Sequence, residues 1–126
     1  LKRTTATGEA TESLQQQAII NWFDLQYPLL KSRLAAIPNA GKMPAWVGAR
    51  FNKEGRRKGF PDLILPVQRH GFAGLFIELK TTKGKPSKEQ GDWLDFLNQQ
   101  GYMAVVCKGQ QAAIDTITSY LNGGRK

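Results

Sequence analysis

The chain is poor in the residues that most simple sites and staples are built from. It has one cysteine, one histidine, and ten acidic residues against eighteen basic ones. With Cys107 alone no intrachain disulfide can form, and its place in the apolar run Met103-Ala104-Val105-Val106-Cys107 reads as a small core residue, as suits a reducing compartment. His70 sits in the turn Arg69-His70-Gly71 and reads as a loop residue, and the sequence has no His/Cys cluster of the kind that argues for a zinc site. No segment approaches the length of a membrane span, and residues 1–8 lack the apolar stretch of a secretory signal. The expectation is a soluble cytoplasmic protein with no membrane partner. The deficit of acid leaves a net charge of +8 and a pI near 9.9, a field that gathers polyanions, nucleic acid among them.

What is present suits one globular domain. Across 126 residues, 40% are hydrophobic, enough for a single core, so the expected domain is 1–126 with its core at about 9–121 and loose termini. Leu14, Ala18 and Trp22, with Ile19 and Phe23, space a helix from about Thr11 to Tyr27, closed by Pro28. Its start has two readings. Glu12 lies where a carboxylate favours the helix dipole, whereas a Ser13/Gln16 capping box would leave Glu12 just outside. Leu34 to Ile37 predicts a short strand, Pro38-Asn39-Ala40-Gly41 a turn, and Ala49 to Glu54 a helical piece. Ser87-Lys88-Glu89-Gln90 is a capping box opening a helix with the stripe Trp93, Leu94, Leu97 and a Gly101 cap. Tyr102 to Cys107 predicts a strand buried on both faces, and Ala113 to Leu121 a last helix.

The chemistry concentrates between residues 59 and 80. Pro61-Asp62-Leu63-Ile64-Leu65 reads as the entry to a buried strand with Asp62 at its polar mouth. Leu75-Phe76-Ile77-Glu78-Leu79-Lys80 reads as its hairpin partner. Alternation puts Glu78 and Lys80 on one face and Ile77 and Leu79 on the other. If the strands pair, Asp62 and Glu78 can share one hard cation, since Mg²⁺ takes one or two carboxylates and completes its shell with water and phosphate oxygens. Lys80 then stands ready to offset charge on a phosphate or to help activate a water. Each motif alone has a plain structural reading, a turn opener and a solvated strand face; their order on consecutive strands of a basic chain is what points to a site. Lys42, Arg50, Lys53, Arg56, Arg57 and Lys58 crowd the segment before it, and Lys83, Lys85 and Lys88 follow it. Such runs suit phosphate contacts with little base specificity. Trp46, Phe51 and Phe60 interleave with these charges, for stacking at unpaired DNA or for core packing. The strand-helix-strand passage from Glu78 to Cys107 is a parallel crossover, so the fold class is α/β with a mixed sheet flanked by helices.

These residues resemble the PD-(D/E)XK nuclease superfamily and, within it, the VRR-NUC family. The features that carry the resemblance are Glu12 with Gln15, Ile37-Pro38-Asn39, Glu54-Gly55, Gly59-x-Pro61-Asp62, Gly74 to Lys80, Ser87-x-x-Gln90, Gly101-Tyr102 and Tyr120-Leu121. The chain departs from many relatives after the Pro-Asn turn, where it reads Ala40-Gly41-Lys42 in place of a second Gly and an Arg. The resemblance implies a restriction-endonuclease-like core and metal ligation by Asp62 and Glu78, with the Leu79 carbonyl as a third ligand. It also implies a catalytic Lys80, an acidic contact from Glu12 and support from Gln90. Stand-alone members of this kind resemble phage and bacterial proteins and imply Mg²⁺- or Mn²⁺-dependent cutting of branched DNA, above all four-way Holliday junctions, by a homodimer. Two alternatives stand beside that expectation: a nuclease of the same fold acting on flaps, nicks or single strands, and a DNA-binding module without catalysis.

Overall fold

The computed structural model describes residues 9–38 and 43–123. The order of elements is α1 (Glu12–Gln26), a 3₁₀ turn (Pro28–Leu30), β1 (Ala35–Ala36), α2 (Ala45–Lys53), β2 (Leu63–Leu65), β3 (Leu75–Lys80), α3 (Lys88–Gln99), β4 (Met103–Lys108) and α4 (Gln110–Leu121). The four strands form one sheet in the order β1-β2-β3-β4. β1 and β3 flank β2 antiparallel, and β4 joins β3 in parallel after the α3 crossover, so the sheet is mixed. Among the described residues no helix is long and apolar enough to cross a membrane.

The pleat sorts the sheet's side chains into two layers. Leu63 and Leu65 of β2, Leu75, Ile77 and Leu79 of β3 and Cys107 of β4 pack with Ile19 and Phe23 of α1 and Ala113, Ile117 and Tyr120 of α4. On the opposite face Phe76 and Ala104 meet Leu94 and Leu97 of α3, with Phe60, Ile64, Trp93 and Tyr102 at the margin. Residues of full burial on the first face outnumber those on the second, so the α1/α4 layer carries most of the apolar stabilisation. Tyr120 satisfies its buried hydroxyl by donating to the Val67 carbonyl at 2.6 Å.

Several expectations shift here. The helix cap is Thr11, whose side chain accepts from the Leu14 N–H, so the Ser13/Gln16 box is not used and Glu12 lies inside the first turn. Gln15 explains the choice. It is buried, and its amide donates to the Ala10 carbonyl at 2.8 Å, which ties the chain before the helix to its first turn. α2 starts at Ala45, earlier than the Ala49 that the sequence suggests. β4 is an edge strand with only Ala104 and Cys107 fully buried, whereas β3 is the strand covered on both faces. The Pro38–Gly41 turn, Lys42 and residues 1–8 fall wholly or partly outside the described residues.

Candidate active site

Proline shapes the floor of the site. The β2–β3 register runs Leu65↔Leu75 and Leu63↔Ile77, and one more pair would set Pro61 opposite Leu79. Pro61 has no N–H to give the Leu79 carbonyl, so the ladder stops there. Asp62 fills the gap: its Oδ2 accepts from the Leu79 N–H at 2.8 Å. Its own carbonyl accepts from the Ile37 N–H at 2.8 Å, fixing it from the β1 side. Within a strand one residue's N–H and C=O point to the same edge, so the Leu79 carbonyl also faces this gap, without a ladder donor. Asp62 is thus just ahead of β2 rather than within it.

Glu78 lies one residue earlier on β3, on the sheet face that α3 covers, and is only 2% exposed. Its Oε2 accepts from the Gln90 side-chain amide at 3.1 Å and meets the Lys80 ammonium at 3.6 Å. Its Oε1 is buried with no hydrogen-bond partner. A lone buried acceptor of this kind is costly unless a proton, a water or a cation meets it. Gln90 is held in turn by α3's cap. Its side-chain oxygen accepts from the Ser87 N–H at 2.8 Å while Ser87 Oγ accepts from the Gln90 N–H at 3.2 Å. The capping box and the contact to Glu78 are therefore one device, serving helix start and site together.

Electrostatics at Glu78 set opposing effects against each other. Burial, then the neighbouring Asp62 carboxylate, raise its pKa from the ordinary 4.5 to about 8; Lys80 pulls it down and Glu12 adds a smaller upward push. Desolvation and like charge win over the single ammonium. In the absence of a counter-cation the carboxylic acid is the favoured form near neutral pH, and a proton between Asp62 and Glu78 relieves their repulsion.

These donors fit a hard divalent cation. Among the described residues no three Asp, Glu, His or Cys side chains stand close enough to make a ligand cage by themselves. Two carboxylates, one with an unpartnered oxygen, and a carbonyl freed by Pro61 give the sparse oxygen set that Mg²⁺ or Mn²⁺ accepts while retaining waters. Glu12 stands across the gap, lining with Ser13, Gln16, Ala36, Ile37, Pro38, Asp62 and Leu79 a cleft of about 260 Å³.

A second cleft, about 290 Å³, opens from the other side of Asp62. Arg56, Arg57, Phe60, Gln90 and Trp93 line it, and Ile37 and Pro38 border both clefts. The basic residues named from the sequence divide accordingly. Arg56 and Arg57 reach this cleft, whereas Arg50 pairs with Glu54 at 3.2 Å, Lys58 with Glu89 at 3.9 Å and Lys88 with Asp92 at 3.4 Å. Lys53, Lys83 and Lys85 are exposed, outside both linings. Phe60 packs edge-on against Phe76 and Trp93, while Trp46 is 73% exposed on α2. Sequence reasoning missed Trp93 as a cleft residue, because at helical spacing it reads only as core. It also missed Glu9, whose carboxylate accepts from the Thr82 N–H and hydroxyl at 3.1–3.2 Å and ties down the turn after Lys80.

Comparison with known proteins bears on the fold and the family. None of the curated proteins compared matches the chain significantly. A solved structure described as a VRR_NUC domain protein is 29% identical, with 89% of this chain and 88% of that chain covered and a TM-score of 0.78. The family model of the VRR-NUC domain matches residues 4–111. The four-stranded mixed sheet, its flanking helices and these two matches place the chain in the VRR-NUC family, and it is a nuclease-type, DNA-processing domain.

Proposed function

We propose that this chain is a divalent-metal-dependent endonuclease that hydrolyses phosphodiesters in branched DNA, with a four-way junction as substrate and a homodimer as the acting form. One observation carries the reading: a buried glutamate with an unpartnered oxygen stands beside Asp62 and Lys80, where an arginine-lined cleft meets an acidic one. Asp62, Glu78 and the Leu79 carbonyl would hold Mg²⁺ or Mn²⁺. When bound, the cation supplies Lewis-acid charge to the phosphate and acidifies a water, each contributing several kcal/mol.

The remaining work belongs to the chain's own groups. Lys80 shares Glu78's face, only 15% of its side chain is exposed, and its ammonium offsets charge gathering on the scissile phosphate. Gln90 holds the Glu78 carboxylate through Oε2 and leaves Oε1 without a partner. Glu12 borders the same gap and orients a water there. Arg56 and Arg57 neutralise flanking phosphates without reading sequence. The dimer follows from symmetry: a four-way junction is approximately two-fold and needs two cuts, which two identical sites supply.

The test is a matched panel of four-way junction, flap, nicked duplex, linear duplex and single strand, each with Mg²⁺, Mn²⁺ or EDTA. Paired symmetric nicks confined to the junction, abolished by EDTA and by Asp62→Asn, are expected. Cutting of another member in its place keeps the nuclease and removes the junction preference; binding without metal-dependent cutting anywhere overturns the nuclease.

A further inference from the structure

The arginine-lined cleft contains more than phosphate contacts require. A surface that only grips backbone needs cations, yet this one carries the rings of Phe60 and Trp93, 4.9 Å apart at 76°, beside two guanidinium groups. Both rings are partly buried rather than sealed in the core. The two arginines are also uncompensated. Among the described residues Arg50, Lys58, Lys80 and Lys88 each have a carboxylate partner, whereas Arg56 and Arg57 have no ion pair. Arg56 gives only its Nε–H to Asn52, at 3.0 Å, which leaves its terminal N–H groups for a ligand.

The cleft's wall is fixed by the fold. Gly59 has φ +85°, and a Cβ there would stand 2.6 Å from the Glu89 carbonyl carbon and 2.8 Å from the Gln90 nitrogen. The 55–60 loop is therefore pressed against the start of α3, which sets Arg56, Arg57 and Phe60 beside Trp93 in the lining of the cleft of about 290 Å³. That volume lies at the lower end of small-ligand sites, the scale of one planar ring system and its polar edge. The cleft shares Asp62 with the metal-ligand set, so its occupant adjoins the scissile phosphate.

We propose that this cleft receives one unpaired or unstacked nucleobase, from the nucleotide next to the scissile phosphate, against Trp93 and Phe60 with Arg56 and Arg57 on its phosphate. The inference rests on the nuclease reading for the position of the cut and deepens it. Aromatic rings hold any base by its π-face, with no demand on sequence. A base within continuous duplex must first be pulled from its stack, whereas at a branch that cost is already partly met. Structure selectivity then arises in the cleft itself, from the difference in unstacking cost between a branch and a duplex.

The experiment measures binding in EDTA, so cutting cannot intervene. A four-way junction carries a single abasic nucleotide, moved one position at a time through the branch; the cut is mapped separately with Mg²⁺. At one position beside the cut, the wild-type chain should lose about tenfold in affinity, as for one lost stacked base. Trp93→Leu should lose about tenfold on the intact junction and become blind to the abasic site, and Arg57→Gln, at an exposed residue, should weaken the intact junction several-fold. A 5-iodouracil at the sensitive position should photocross-link to the peptide holding Trp93 or Phe60. Equal affinity for intact and abasic junctions at every position overturns the inference. So does a Trp93→Leu variant that remains as sensitive as wild type or weakens both DNAs alike, or a cross-link to Trp46. Metal-dependent cutting without abasic sensitivity removes the base site and keeps the nuclease; abasic sensitivity without cutting does the reverse.

Discussion

Replacing Glu78 by Gln should make the metal-free protein more stable while ending its chemistry, and the gain should grow with pH. The sign follows from linkage. In the unfolded chain the carboxyl releases its proton near 4.5, and in the folded chain near 8. Between those values the folded state binds more protons than the unfolded one, so stability falls as pH rises, and the loss is complete above about 8. The upper limit of the slope is about 1.4 kcal/mol per pH unit. Relaxation and water penetration around the ionised Glu78 carboxylate keep the realised change below that limit. A widening of about 2–3 kcal/mol between pH 5 and 8 is therefore expected. At about 3–5 °C per kcal/mol for a chain of this size, the gap in Tm grows by roughly 10 °C.

The assay is thermal unfolding of both proteins in EDTA at pH 5, 6, 7 and 8, followed by addition of Mn²⁺. The amide keeps an oxygen to accept from Gln90 and gains an N–H to offer Asp62, so its shape costs little. Mn²⁺ at pH 8 should raise the wild-type Tm and close most of the gap, while leaving Glu78→Gln nearly unmoved. Curves that run parallel from pH 5 to 8 would refute the reasoning, because they would mean that Glu78 carries its charge without penalty.

Lys80→Ala should reduce cleavage by at least about a hundredfold, the usual scale for losing an electrostatic group at a reacting oxygen, with junction affinity within about threefold of wild type by gel shift. Cutting at the wild-type rate would remove Lys80 from the site. Changing Arg56, Arg57 and Lys58 together to Glu should weaken binding to every sequence alike; it should lower the slope of log K against log salt by about 3 if each contacts one phosphate. A loss confined to one sequence would refute phosphate contact. Gly59→Ala should cost about 2–4 kcal/mol by urea unfolding, since it combines a left-handed backbone with a Cβ only 2.6 Å from Glu89. A change within 0.5 kcal/mol, on the scale of an ordinary surface substitution, would show the loop to be less tightly pressed on α3 than the geometry requires.

What could be read beforehand depended on how local its physics was. β3 was legible end to end because Leu75–Lys80 alternates two apolar sets around Glu78 and Lys80, and the pleat alone assigns their faces. The start of α3 was legible because Ser87 and Gln90 satisfy each other within one turn. At α1 the same rule offered two caps, and the buried Gln15–Ala10 hydrogen bond, a matter of packing, decided for Thr11. β4 misled because Met103–Val106 is apolar throughout, and composition cannot say whether another strand lies beyond it. The clefts were the least legible part. The walls of the arginine-lined cleft come from residues 37–38, 55–62 and 90–93, which only the tertiary fold brings together, and Trp93 carries no local sign of facing it.

A conflict that was legible, once seen as a conflict, lies at Glu78 itself. Five of the six β3 residues are buried, and a fully buried strand position is the worst available for a carboxylate. Every local rule at that position favours an apolar residue or a neutral amide of the same shape. Lys80 does not resolve it, because a 3.6 Å ion pair fails to bring the acid back to its ordinary pKa. Nor does Gln90, which satisfies one oxygen and leaves the other bare. A residue that contradicts local preference, burial and polar satisfaction together is where a sequence trades stability for function. On the reading proposed above, the missing element is positive charge from outside the chain, at the Oε1 that neither Lys80 nor Gln90 contacts. A second lysine in that place would make a quiet core ion pair; the chain instead opens two clefts onto Asp62 beside it, and on the proposed reading a metal ion would supply that charge there.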